Sequence, residues 1–156
     1  MVTPRYMIDT NVAIDLLRGT HSLDRQRFIT AEGAIAVSST TVMDLEFGIE
    51  RSARPATNRS EVTALLSRLV ILPFGQPAAE HAGRIRADLA SRGLSIGPYD
   101  CLLAGHARSA ALTMVTHNTA EFSRVPGLLV EDWTYPDAAT PPPVTSASTK
   151  RESLIL

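Results

Sequence analysis

Short apolar runs alternate along this chain with longer stretches in which apolar residues recur every three or four positions. Tyr6-Met7-Ile8 is a strand-length run closed by Asp9, and Val12, Ile14, Leu16 and Leu17 then follow at helical spacing. Asn11 is the expected N-cap of that helix. Ser22 to Glu32 is mixed in character and predicts a further helix. Ala34-Ile35-Ala36-Val37 predicts a second strand, ended by Ser38-Ser39-Thr40. Thr41 is expected to open the next helix, with Val42, Leu45 and Ile49 on one face, and Arg54-Pro55 breaks it. Val62, Leu65, Leu66 and Leu69 mark another helix, leading into a strand at Val70-Ile71-Leu72. Pro77 opens a helix whose apolar positions Ala78, Ala82, Ile85 and Leu89 run to Gly93, a natural C′ residue. Pro98 opens one more, with Leu102, Leu103, Ala107 and Ala110 facing inward. Leu112 to Thr116 and Leu128-Leu129-Val130 predict the remaining strands. Strands separated by helices define an α/β fold with a central parallel β-sheet flanked by helices on both faces.

Composition sharpens this picture. The 156 residues, 44% hydrophobic, suffice for one domain with a real core. That domain is expected over 1–135. Residues 136–156, with three consecutive prolines at 141–143 followed by a Ser/Thr-rich run, predict a flexible tail. No apolar run is long enough to span a bilayer, and Asp9 interrupts any secretion-signal layout at the N-terminus. A single cysteine, Cys101, excludes an internal disulfide and a thiolate metal site, so a reducing cytoplasm is the expected setting. The net charge of −1 gives no global attraction to nucleic acid; binding RNA would take a local basic patch and a cation to offset the acids.

The candidate chemistry lies in polar residues placed just beyond apolar runs. Asp9 ends the first strand, where open α/β sheets hold their ligands. Asp44 lies three residues after Thr41, a spacing that also makes a capping box. Glu46, two positions on, points to the opposite side of the helix and cannot share its site. Asp100 follows Gly97-Pro98-Tyr99 in the first turn of its helix, where the helix dipole alone would favour a carboxylate. Asn118 follows the strand ending at Thr116, as a turn residue or N-cap often does. Each is ordinary by itself. Together they offer three carboxylates and an amide at one edge of a parallel sheet, with oxygen ligands only, a set that favours Mg²⁺ or Mn²⁺ over Zn²⁺ and suits phosphoryl chemistry.

The order of these segments carries a family resemblance. Met7-Ile8-Asp9-Thr10-Asn11-Val12, Ser38 through Asp44-Leu45-Glu46-Phe47-Gly48, Ile96-Gly97-Pro98-Tyr99-Asp100, and Val115-Thr116-His117-Asn118 through Glu121-Phe122 resemble the four motifs of PIN-domain ribonucleases. The closer likeness is to the VapC toxins of bacterial toxin–antitoxin pairs. Arg124-Val125-Pro126-Gly127 and Val130-Glu131-Asp132-Trp133 resemble that family's C-terminal end, so the match runs from Tyr6 to Trp133. Two positions depart from the pattern. The second acid is normally Glu four positions before the motif glycine, and here it is Asp44; the fourth position is often Asp, and here it is Asn118.

The resemblance implies a PIN-like fold and an Mg²⁺- or Mn²⁺-dependent endoribonuclease acting on structured RNA such as tRNA. In that scheme Asp9 and Asp100 bind the metal, Asp44 completes the cluster and orients the attacking water, and the carbonyl of Asn118 positions a ligand. Thr10, Asn11 and Thr116 hold the carboxylates. Family analogy further implies a homodimer and a cognate VapB-like antitoxin that inserts a basic side chain into the acidic pocket. Arg86 and Arg124 are the candidate RNA contacts, and Glu121 reads as a solvated first-turn residue. His117 reads as an exposed loop histidine with RNA contact as the alternative, His106 as a surface or interface histidine, Cys101 as packed and inert, and Tyr99 as covering the core with base stacking as the alternative. Two other readings compete: a PIN-fold RNA-binding module with impaired catalysis, motivated by Asp44 and Asn118, and a small phosphatase using Asp9 as nucleophile. The second lacks the usual Asp two residues on, where Asn11 stands.

Overall fold

A computed structural model describes residues 3–135. The proposed tail at 136–156 lies outside the described residues. In chain order the elements are β1 (Tyr6–Ile8), α1 (Thr10–Arg18), α2 (Arg25–Thr30), β2 (Ile35–Ser38), α3 (Ser39–Arg51), α4 (Pro55–Leu66) and β3 (Val70–Leu72). They continue with α5 (Gln76–Ser91), α6 (Pro98–Ser109), β4 (Thr113–Val115), α7 (Thr119–Phe122) and β5 (Val130–Glu131). All strand pairs are parallel, in the order β3-β2-β1-β4-β5.

The sheet is buried on both faces because successive residues of each central strand point to opposite sides, and both sides are apolar. Met7, Ala36 and Met114 pack with Ile85, Leu89, Leu103 and Phe122 beneath α5, α6 and α7. Ile8, Ile35, Val37 and Val115 pack with Val12 and Trp133, and with Phe28, Leu65 and Leu66, beneath α1, α2 and α4. No helix among the described residues is long and apolar enough to cross a membrane.

The strand order places the site. The chain runs outward from β1 to β2 and β3, then α5 and α6 carry it back across the sheet to β4 on the other side of β1. The order therefore reverses between β1 and β4, and the crevice beyond their carboxyl ends is where such sheets bind ligands. The close approach of α5 to α6 makes the return possible. Gly105 lies against the backbone of Ala82, where a Cβ would sit 2.5 Å from the Ala82 nitrogen.

Several boundaries differ from expectation, each for a local reason. Asp9, not Asn11, caps α1: its Oδ1 accepts from the Val12 N–H at 2.8 Å, and Asn11 is exposed in the first turn. Ser38 rather than the Thr41 region starts α3, its Oγ accepting from Thr40 N, so Asp44 falls in the second turn and forms no capping box. Asp24 caps a shorter α2, β4 is one residue shorter at each end than the expected 112–116, and β5 is shorter and shifted towards the C-terminus. Pro98 begins α6 and Gly93, with φ +65°, follows α5 as expected.

Candidate active site

Asp9 leaves the sheet at its centre and is 3% exposed. Both its oxygens are held: Oδ1 by the Val12 N–H, Oδ2 by the Thr116 hydroxyl at 2.5 Å. Thr116 ends β4, and its Oγ1 in turn accepts the Asn118 N–H at 2.9 Å. One threonine thus ties the end of β1 to the turn after β4. Burial raises the pKa of Asp9 above its ordinary value, against the lowering pull of Thr116, Val12 and the nearby His117.

Asp100 sits in the first turn of α6, started at a fixed point by Gly97-Pro98. Its carboxyl is pushed up to about 6, first by burial, then by a hydrogen bond with Glu121 and by the charges of Asp9 and Glu121; the Asn118 amide acts in the opposite direction. Asn118 Nδ2 donates to Asp100 Oδ2 at 3.4 Å and to Glu121 Oε2 at 3.0 Å. The amide nitrogen, not the carbonyl expected to position a ligand, is the end turned towards these acids. Two carboxylates accept only, so the donor end must face them.

Glu121 is therefore part of the site, whereas the sequence read it as solvated. The signal was present. In the single turn of α7, Glu121 lies three residues after Asn118, which puts both on one side. Asp44 stands somewhat apart. Its Oδ2 accepts from the Thr10 hydroxyl at 3.1 Å, and Thr10 Oγ1 lies 3.2 Å from Thr41 Oγ1. Thr10 has one proton and gives it to Asp44, so Thr41 is the donor to Thr10. The charges that raise Asp100 are those of Asp9 and Glu121; Asp44 is not among them. The Thr10 hydroxyl bonds Asp44 and the Thr116 hydroxyl bonds Asp9, whereas Asn11 bonds neither. Glu46 pairs with Arg59 at 2.6 Å, well away from Asp44's partner.

The basic candidates differ in freedom. Arg124 Nη1 donates to the carbonyls of Leu94 and Ser95 at 3.4 and 3.2 Å, so its guanidinium fastens the loop before α6. Arg86 is exposed on α5, at an apolar cavity of about 550 Å³ lined also by Phe74, Ile96, Pro98 and Leu102. None of the acids lines that cavity. Three other residues are corrected or sharpened. His106 is buried, with Nδ1 2.8 Å from Ser38 Oγ, and burial lowers its pKa. Tyr99 is 59% exposed beside Asp100 rather than in the core. Cys101 is buried, its thiol directed at the Ala82 carbonyl and its pKa raised by burial.

The donor set fits a hard cation. Burial first, then the Glu121 hydrogen bond and the charges of Asp9 and Glu121, push the Asp100 carboxyl up to about 6, and a divalent cation in that position would replace its proton. Among the described residues no three acidic, thiol or imidazole groups already form a metal cage. One or two carboxylates with water completing the shell is the manner in which Mg²⁺ is usually held. Proton and cation then compete for Asp100. We expect apparent Mn²⁺ affinity about tenfold weaker at pH 5 than at pH 7, since the ionised fraction falls by that factor across a pKa near 6. Calorimetric titration at the two pH values checks it, and equal affinities would remove Asp100 from the site.

The fold and site define a parallel α/β protein with acids gathered at the reversal point of its sheet, where such sheets bind ligands. The family described as PIN domain matches residues 6–128. The tRNA(fMet)-specific endonuclease VapC of Shigella flexneri is 43% identical over 129 residues, covering 83% of this chain and 98% of that protein. Ribonuclease VapC2 of Haemophilus influenzae (strain ATCC 51907 / DSM 11121 / KW20 / Rd) is 40% identical over the same shares. Among solved structures, the DNA-bound VapBC complex of Salmonella typhimurium aligns with a TM-score of 0.79 at 41% identity, over 84% of this chain and 99% of that one. The chain belongs to the PIN-domain family and, within it, to the VapC ribonucleases of toxin–antitoxin systems.

Proposed function

We propose that this toxin is an Mg²⁺- or Mn²⁺-dependent endoribonuclease of structured RNA, with tRNA as the substrate class, acting in the cytoplasm. The observation that carries the reading is the hydrogen-bond chain that joins Asp9 to Asp100, far apart in sequence, through the Thr116 hydroxyl and the Asn118 backbone and amide. The substrate class rests on the Shigella relative, whose name specifies a tRNA. A bound cation there would neutralise charge on the phosphate and lower the pKa of a water for in-line attack. Asp9 and Asp100 would hold it. Thr116 and Val12 fix the Asp9 oxygens so that no reorientation is needed when substrate arrives, and Asn118 and Glu121 keep Asp100 turned inward. Asp44, steadied by Thr10, would accept a proton or orient water. Arg86 is the exposed basic side chain offered to the RNA backbone.

The cut is expected to leave a 3′-hydroxyl and a 5′-phosphate. Incubating total tRNA with the protein and Mg²⁺, then ligating adaptors that require a 5′-phosphate, tests this. Cleavage that persists in EDTA, or leaves a cyclic phosphate, would sink the proposal. Arg86→Ala is expected to raise KM severalfold with kcat little changed, as loss of one phosphate contact does. A kinetic series on one tRNA checks it. A VapB-like antitoxin as silencing partner rests on the VapBC complexes among the structural neighbours, and a homodimer rests on family analogy.

The competing reading, RNA binding without cleavage, is motivated by Asp44 standing outside the charges that act on Asp100. RNA retention with no Mn²⁺ binding at millimolar concentration would favour it.

A further inference from the structure

His117 sits between the two residues that touch the acids, and its own side chain bonds none of those acids. Thr116 reaches Asp9 and Asn118 reaches Asp100 and Glu121. The His117 ring instead spans two other elements. Its Nε2 lies 3.0 Å from Asp15 Oδ2 on α1, and its Nδ1 lies 3.1 Å from Asp132 Oδ1 just after β5. Asp132 is itself fixed, since the same Oδ1 accepts from the Thr134 N–H at 3.1 Å and from its hydroxyl at 2.8 Å. The ring is partly shielded, with 30% of its side chain exposed.

The elements it joins are those that carry the site. α1 begins at Asp9, so a contact to Asp15 fixes the helix that Asp9 caps. The segment after β5 is anchored by Trp133, 2% exposed against Tyr6 and Phe28, and by the Asp24 N–H on the Trp133 carbonyl at 2.8 Å. Between these two supports hangs a turn whose remaining side-chain ties run to the acids. Its backbone is held by the Thr116 N–H on the Glu131 carbonyl at 3.0 Å and the Phe122 N–H on the Asn118 carbonyl at 3.2 Å. His117 adds side-chain ties to α1 and to Asp132.

We propose that His117 is a positioning residue: by bonding Asp15 and Asp132 at once, it clamps the 116–118 turn from behind and so holds Thr116 on Asp9 and Asn118 on Asp100. The inference rests on the nuclease reading for its kinetic consequence but not for the clamp. A carboxylate only accepts, so each contact takes a ring N–H: the imidazolium donates to both Asp15 and Asp132, a neutral ring to one of them, and a shorter apolar side chain to neither. A residue acting in this way changes how well the reacting groups are placed, and misplacement of about 1 Å costs up to a hundredfold in rate. It does not change how RNA is gripped.

Two measurements on the full chain separate the possibilities. In His117→Ala, amide hydrogen exchange at Asn118, whose N–H bonds Thr116 Oγ1, should quicken at least tenfold. Protection in the central strand β1 should stay unchanged. Unchanged exchange at Asn118 would overturn the clamp whether or not the protein cuts RNA. In parallel, kcat on a tRNA substrate should fall at least tenfold with KM within twofold. His117→Gln, which keeps a hydrogen-bonding end, should recover part of the rate, and Asp15→Asn with Asp132→Asn should reproduce the loss. A rise in KM at constant kcat would instead make His117 an RNA contact and overturn its positioning role. If wild-type protein cuts nothing, the nuclease reading fails while the exchange result still decides the clamp.

Discussion

Asp100→Asn should abolish RNA cleavage, by at least about a thousandfold as expected for a lost charge-stabilising group, and at the same time stabilise the metal-free protein at pH 8. The two effects have one cause. In the folded chain the Asp100 carboxyl titrates at about 6, against about 3.9 for an unperturbed aspartate. A raised carboxylate contributes stability in full below the unfolded value, and that contribution is lost as pH rises through the folded one. At pH 8 the charge on Asp100 therefore opposes folding. A difference of that size corresponds to roughly 3 kcal/mol, which solvent screening of a half-open site reduces to about 1–2 kcal/mol. Urea denaturation in EDTA should show that gain at pH 8 and none near pH 3.5. A less stable variant at pH 8 would mean that burial and the neighbouring acids do not oppose ionisation of Asp100. Asp9→Ala provides the contrast. Asp9 caps α1 and receives the Thr116 hydroxyl, so its replacement removes activity and also costs about 1 kcal/mol of cap.

Gly105→Ala should cost about 3 kcal/mol, measured by chemical denaturation, and lower cleavage through displacement of α6. Helix propensity alone predicts the opposite, a gain of about 1 kcal/mol. Packing decides the sign, because the added Cβ would meet Ala82 N at 2.5 Å and Ala82 Cα at 2.6 Å, both backbone atoms that cannot step aside. Gly83→Ala on α5 is the internal control. Nothing lies within 4 Å of the place its new methyl would take, so this substitution should be neutral or mildly stabilising. If the two substitutions behaved alike, α5 and α6 would not be packed as described.

Apolar periodicity and punctuation by themselves determined the sequence of elements, the parallel α/β class, the helix start at Pro98 and the C′ glycine at 93. Such signals are local: burial imposes a period, and Pro or Gly restricts or frees φ. The same rules showed that Asp9, Asp44, Asp100 and Asn118 fall at element ends, and that Glu46 faces away. Only the tertiary structure decided which of those ends meet. Strand order brings β1 beside β4, which joins Asp9 to Thr116 and sets Asp100 against Glu121, while Asp44 reaches the site through Thr10. Glu121 meets an acid on a different helix, and His117 finds a partner 102 positions away; no local pattern carries that information. Tyr99 and His106 were assigned to the wrong environments for the same reason. A helix records which residues share a face, but what covers that face depends on the elements packed against it.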